Sequence, residues 1–319
     1  MPTTISRGKL VYTSALCAML AAVLSTASRA EENGGNEQKS FDSPDAAFTA
    51  LMEGLQKNSD DVLLDVLGHA NKDLVVQSDK EDSAEIRKKI FNAAREHLKI
   101  VTEGDKAIAH LGIKDWPYPI PMVKQGGKWI FDTAAGKEEI LNRRIGRNEL
   151  SALNFAEAYG DAQRKYASED HSGDKVLKYA QRLISSKDKR DGLYWPVDAA
   201  AAEEHSPLAA MVDDDETAFL AGNGADVPCN GYCYKVLTKQ GSNPPNGKYD
   251  YVINGNMIAG FAVVAWPADY GSSGIMTLVM SHQGVIYQKD LGADTAKLAG
   301  AIDEYNPDNT WSEVKPEEK

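Results

Sequence analysis

Between residues 128 and 196 the chain changes character three times, and no other stretch limits the fold so strongly. K-W-I-F-D reads as a short strand. The run from Gly136 to Ala167 carries charged and apolar residues suited to helix, and S-E-D-H-S-G-D leaves it as a polar loop. Helix signals followed by strand signals precede this stretch, and mostly strand signals follow it. It therefore reads as the joint between two small α+β domains. Gly136 to Arg144 reads as a short helix with Glu138 and Glu139 in its first turn and Arg143 and Arg144 in its last, the order a helix dipole favours. Gly146 reads as an interruption. The main helix then starts near Asn148, with Leu153, Ala156, Tyr159, Gln163 and Tyr166 facing inward.

Before the joint, Ser43-Pro44-Asp45 is a helix start with a hydroxyl cap and proline in the first turn. Ala47, Phe48, Leu51 and Leu55 give that helix a buried face, Asn58-Ser59-Asp60 ends it, and a second helix follows to Gly68. A third runs from about Ser83 to Leu98. Short strands at 99–102, 107–111, 120–124 and 128–132 come next, the last two joined across Gly126-Gly127. Helices followed by a curled antiparallel sheet over 41–135 resemble the cone of nuclear-transport-factor-2-like domains. Such cones often hold an apolar pocket; His97 and His110 are the histidines placed to line one, with a purely structural role for each as the favoured alternative.

Beyond the joint, 136–311 reads as a long helix, a short helix from Val176 to Ile184, an irregular Ala-rich stretch and an antiparallel meander. Its strands are expected at 232–238, 249–253, 257–266, 275–281 and 285–288, with Asn254-Gly255 as a type I′ hairpin turn. This order resembles the globular half of type IV pilins, without their long apolar N-terminal helix. The fold class is thus α+β: a helices-plus-curled-sheet domain joined to a helix packed on an antiparallel sheet. Ser312 to Lys319 reads as a charged tail.

The N-terminus carries an address. Arg7 and Lys9 precede the apolar run Leu10–Leu24, and Ser28-Arg29-Ala30 sets small residues at the −3 and −1 positions before Glu31. Residues 1–30 read as a secretory signal peptide and 31–40 as a flexible lead, so the mature chain is expected to be exported, periplasmic or extracellular. Losing Arg7, Lys9 and Arg29 without any acid takes the formal charge from −12 to −15. Such a field repels nucleic acid and anionic lipid. No later apolar run is long enough to span a membrane.

Three sets of residues stand out as candidate sites. Arg143, Arg144 and Arg147 form a basic cluster in an acidic chain, suited either to an anion such as an acidic glycan or to pairing with nearby acids across the domain joint. Asp170, Ser172 and Asp174 place oxygens at alternating positions, as the first half of a calcium loop does. Gln181, however, stands where an EF-hand needs its closing Glu. A plain polar turn is the competing reading, and no other cofactor is expected. Cys229 and Cys233 flank Asn230-Gly231, a turn able to bring them into a disulfide; on an extended strand they would not meet.

Four strings carry a family resemblance: F-D-T-A-A-G-K-E-E-I-L-N-R-R-I-G-R-N-E-L, Y-A-Q-R-L-I-S with K-R-D-G-L-Y-W-P, Y-D-Y-V-I-N-G-N-M-I-A-G-F-A-V-V-A-W-P-A-D-Y-G, and G-V-I-Y-Q-K-D-L-G. With them the chain resembles the exported bacterial family known only as domain of unknown function family 2950, across nearly the whole mature sequence. The resemblance implies export and two parts but no activity. Where that family commonly has a His-Gly-aromatic run, this chain has Cys229-Asn230-Gly231-Tyr232-Cys233, so the resemblance lends the disulfide no support.

No phosphate-binding glycine loop, zinc-protease helix or nucleophile elbow is present; Gly271-Ser272-Ser273-Gly274 lacks the spacing for the last. Trp116, Trp195 and Trp266 each precede proline, which fits core anchors at element ends, or a sugar-stacking surface if exposed together. Two functions remain: a non-catalytic envelope module binding a protein or glycan through the second domain, and an enzyme or small-ligand binder using a pocket in the first.

Overall fold

The structure, a computed structural model, describes residues 38–75, 80–196, 206–212, 214–221 and 228–315. The segments expected as a signal peptide (1–30) and, for the most part, as a lead (31–40), much of the Ala-rich stretch and the last four residues lie outside them. The described chain divides between Arg143 and Arg144 into two compact units.

The first unit begins with α1 (Pro44–Lys57), whose cap Ser43 accepts the Ala46 N–H at 3.1 Å through its hydroxyl. Asn58 ends α1 in the left-handed conformation (φ 47°), and Ser59 caps α2 (Asp60–Leu67). The short α3 (Lys72–Val75) and then α4 (Lys80–Glu96) follow. Next comes an antiparallel sheet of β1 (Leu98–Glu103), β2 (Lys106–Leu111), β3 (Trp116–Pro117), β4 (Met122–Gln125) and β5 (Lys128–Phe131), in the order β1-β2-β4-β5 with β3 beside β2. Gly126 and Gly127, at φ 57° and 82°, close the β4–β5 hairpin as their sequence requires. Phe48, Leu51, Ala107, Leu111, Met122 and Phe131 are essentially inaccessible, and each large apolar chain among them contributes about 1.5–3 kcal/mol by its burial. One charge lies within this core. Arg87 is satisfied there by Asn58 Oδ1 at 2.7 Å, Asp60 Oδ1 at 2.6 Å and the Val75 carbonyl at 2.6 Å.

Helix α5 (Thr133–Tyr166) corrects the reading of two helices broken at Gly146. No side chain or neighbouring backbone crowds the place a Cβ would take at Gly146, so the helix runs through it. A glycine there costs about 1 kcal/mol, less than the apolar stripe that follows returns. Ala152, Phe155, Ala156, Tyr159 and Ala162 are fully or nearly fully buried, and the Tyr159 hydroxyl donates to the Ala262 carbonyl at 3.1 Å. At Gly160 a Cβ would lie 3.1 Å from Met280 Cε, so helix and sheet approach closely at that point.

That sheet is the centre of the second unit. After α6 (Asp214–Ala221) come β6 (Tyr232–Leu237), the short pieces β7 (Lys239–Gln240), β8 (Tyr249–Asp250), β9 (Val252–Ile253) and β10 (Asn256–Met257), then β11 (Ala262–Pro267), β12 (Met276–Ser281) and β13 (Ile286–Asp290). Then α7 (Thr295–Gly300) leads to β14 (Ser312–Glu313). The main sheet runs β14-β13-β12-β11-β6, every neighbour antiparallel. Two expectations change here. The start of the presumed tail forms β14 against Tyr287 and Gln288, and the presumed strand 249–253 is split between two small sheets, β7–β8 and β9–β10. Asn254-Gly255 makes its tight turn, with φ 51° and 82° and Ile253 opposite Asn256.

The larger correction is at Val176–Ile184, which is extended and not helical. Its backbone is taken by other partners. Gln163 Oε1 accepts the Ala180 N–H at 2.8 Å while its Nε2 donates to the Ala180 carbonyl at 2.8 Å, and the Tyr179 N–H donates to the Met257 carbonyl at 2.8 Å. Ser185 and Tyr194 then pair, as do Leu183 and Tyr194.

Candidate functional site

The extended segment and the chain that returns to it wall a cleft of about 1510 Å³ in the second unit. Tyr166 at the end of α5, Tyr194-Trp195-Pro196 and the Gly255-Asn256 turn complete its lining. The loop 185–191 is fixed at its base. Asp191 Oδ1 accepts the Ser186 N–H at 2.6 Å, its Oδ2 accepts the Ser186 hydroxyl at 2.8 Å, and the Tyr166 hydroxyl donates to the Arg190 carbonyl at 2.7 Å. Gly192 has no room for a side chain, since a Cβ would lie 2.6 Å from the Ile184 carbonyl carbon. Burial alone would raise the Asp191 carboxyl, but the Ser186 bonds and the Arg182 charge hold it below its ordinary value, so it stays ionised.

Charge distinguishes this cleft from the rest of the molecule. Among the described residues, Lys178, Arg182, Lys187, Lys189 and Arg190 line it against Asp188 and Asp191, in a chain whose formal charge is −12. Lys178 is tied down by Asp174 and by Asn256 Oδ1 at 2.8 Å, and the Arg190 guanidinium sits 5.4 Å from the Trp195 ring centre. Lys187 and Lys189 are exposed at the loop's outer end. Behind them His171 stacks on Tyr166, ring centres 4.2 Å apart, and lies 5.6 Å from Trp195. Its Nε2 is buried and has no hydrogen-bond partner among the described residues. Reading the sequence passed over these cations, although Lys187, Lys189 and Arg190 stand within four residues of one another.

The residues singled out beforehand are placed elsewhere or otherwise engaged. Asp170 accepts from the Ser172, Gly173 and Lys175 N–H groups at 3.1, 2.8 and 2.8 Å, and Asp174 accepts from Val176 N–H at 3.0 Å and from Lys178. The Lys175 bond first, and the other chain donors with it, hold the Asp170 carboxyl below its ordinary value; the Lys178 bond leads for Asp174. Calcium would have to displace these donors, and no group of three or more His, Cys, Asp or Glu among the described residues is arranged to hold a metal ion. The arginine cluster is separated by its partners: Arg143 reaches Glu139 at 2.8 Å and the Pro117 carbonyl at 2.8 Å, Arg144 reaches Ser272, and Arg147 is exposed.

Asn230 and Gly231, at φ 46° and 75°, turn the chain as expected but pair Cys229 with Tyr232, not with Cys233. Strand neighbours alternate faces, so Cys229 shares the buried face of Tyr232 and Tyr234, and half-buried Cys233 takes the other. The two sulfurs are not bonded to each other.

In the first unit a cavity of about 70 Å³ is lined by Leu51, Leu67, Ile86, Arg87, Ile90 and Tyr118. Neither His97 nor His110 lines it, and a drug-sized ligand needs some 300 Å³ or more. The structure does bring the two histidines together about Asp115. His97 Nε2 lies 3.4 Å from the Asp115 carboxylate and His110 Nδ1 lies 3.1 Å from its carbonyl, with His97 and Asp115 about half exposed.

Fold and site together define a mixed α/β protein of two compact units, with antiparallel sheets and a cation-lined cleft in the second. The chain belongs to the family described as Protein of unknown function (DUF2950), which it matches over residues 38–314. No curated protein and no solved structure matches it. No helix among the described residues is long and apolar enough to cross a membrane.

Proposed function

We propose that the protein is an exported, non-catalytic binding module of the cell envelope whose ligand lies in the cleft walled by residues 166–196. The cleft itself carries this reading: it is larger than the ~300–1,000 Å³ of ordinary small-molecule pockets, and backbone pairs of Tyr179 with Met257 and of Ile184 with Tyr194 tie its wall together. A wall held by those pairs, with exposed Lys187 and Lys189 at its outer end, suits capture, because the wall has little entropy left to lose. The Arg7/Lys9 start and Ser28-Arg29-Ala30 support export, with the mature chain beginning at Glu31. In fold terms we take the first unit as a nuclear-transport-factor-2-like cone and the second as a pilin-like globular domain. Helices ahead of a meander support the first likeness, and α5 packed on the main sheet supports the second.

One observation favours a second reading, an enzyme acting at the first unit: the approach of His97 to Asp115. That pair is about half exposed and stands apart from the unit's cavity, so it lacks the excluded water that acid–base chemistry uses.

Gln181→Trp tests the binding reading, since exposed Gln181 lines the cleft and reaches the Gly255 carbonyl at 2.9 Å. Native mass spectrometry of the mature chain after exposure to envelope extract should show added mass on the natural protein and none on the variant. Equal added mass on both would contradict the reading.

A further inference from the structure

We infer that the cleft ligand is an anionic sugar chain, bearing carboxylate or phosphate groups along its length. The inference rests on the binding reading above and names its substrate class. Three features of the wall converge on it.

The first is charge. Among the described residues of the lining five cations stand against two acids, in a chain of net negative charge, with Lys178 already paired to Asp174. No carboxylate among the described residues pairs with Lys187 or Lys189, and both extend from a loop anchored by Asp191 and Tyr166. Unpaired ammonium groups are point charges that accept carboxylate or phosphate in many orientations, which suits a chain carrying charges at intervals.

The second is the neutral lining. Half-buried Tyr179 offers a ring edge, the rings of Tyr166, Tyr194 and Trp195 are buried behind it, and Gln181, Ser185 and Asn256 offer amide and hydroxyl groups. Rings with apolar faces and hydroxyl edges match such a wall. An acidic peptide would instead ask for apolar side-chain pockets, and Ile184 and Leu220 are the only aliphatic side chains larger than alanine in the lining, apart from Pro196.

The third is His171. Its ring is pinned between Tyr166 and Trp195, and its Nε2 is buried in the cleft wall with no partner among the described residues. A buried polar atom left unmatched costs about 1–3 kcal/mol, so its retention in a packed wall is explained by a partner that arrives with the ligand. A sugar hydroxyl or an anionic oxygen supplies that partner.

Isothermal titration of the full mature chain decides the matter, with oligogalacturonate and phosphomannan as anionic sugars, malto-oligosaccharide as the neutral sugar and oligoglutamate as the anion without sugar. One of the two anionic sugars should bind with an affinity that falls as salt is added, and the other distinguishes carboxylate from phosphate recognition. Lys187→Glu with Lys189→Glu should weaken that binding by about tenfold, since these tips bear on ligand and not on the core. His171→Phe, which keeps the stacked ring but removes Nε2, should weaken it without lowering the melting temperature. Oligoglutamate binding as tightly as the sugars would overturn the sugar assignment. If no anion binds while Gln181→Trp still removes the envelope-derived mass, the anionic assignment is overturned and the binding reading stands. If Gln181→Trp leaves that mass in place, the binding reading itself fails.

Discussion

His282 shows how one side chain ties the second unit to pH. Its ring packs edge-on between Tyr251 at 5.6 Å and Phe261 at 6.2 Å, and its Nδ1 is buried with no hydrogen-bond partner among the described residues. Burial lowers its pKa from the ordinary value near 6.5, against the smaller opposing effect of its backbone bond to Phe261. The unfolded chain therefore takes up the proton first. Stability from this site is complete above about pH 6.5 and declines as pH falls through that value towards the lower folded one. The carboxylates that the fold holds below their ordinary values, Asp170, Asp174 and Asp191 among them, lose their contribution only at lower pH. The melting temperature should accordingly fall between about pH 6.5 and pH 5, and His282→Gln should flatten that interval. A wild-type profile as flat as the variant's would contradict the assignment. None of this was legible in H-Q-G, which reads only as a hairpin turn. Gly192 and Gln163 were equally silent, because each matters through a neighbour distant in sequence: Gln163 binds Ala180, and Gly192 lets the chain pass Ile184.

Elements were legible where local rules and tertiary contacts agree. Ser43-Pro44 starts α1, Gly126-Gly127 and Asn254-Gly255 turn their hairpins, and the alternating burial of β2 follows its sequence. They were misread where the two disagree. Gly146 carries a local penalty that a helix with a buried stripe on its far half overrides. Val176, Tyr179, Ala180, Leu183 and Ile184 have helical spacing, yet the Gln163 amide and the Met257 and Tyr194 backbones claim the segment's hydrogen bonds. Two substitutions in α5 test this account. Gly146→Ala, meeting open space, should stabilise by about 0.5–1 kcal/mol in urea unfolding. Gly160→Val, driven against Met280, should destabilise by about 1–3 kcal/mol. A helix truly broken at Gly146 would show no gain from the alanine.

At the scale of the whole molecule, composition correctly disfavoured membrane spans among the described residues, yet its uniform acidity concealed the cleft. Net charge is a sum, and the sum hides five cations gathered from Lys178 to Arg190 by the fold of that segment. The candidate site was therefore only half legible: its loop stood out, but for oxygens that cap their own turn and not for the cations beside them. The central claim is that ligand binds here and nowhere else on the two units. Hydrogen–deuterium exchange of the mature chain, with and without the anionic sugar that binds, measures this directly. Slowed exchange confined to residues 178–195 and the 255–256 turn is the predicted result. Protection centred on Gly112–Pro117 beside His97 and His110, with the cleft unchanged, would contradict it.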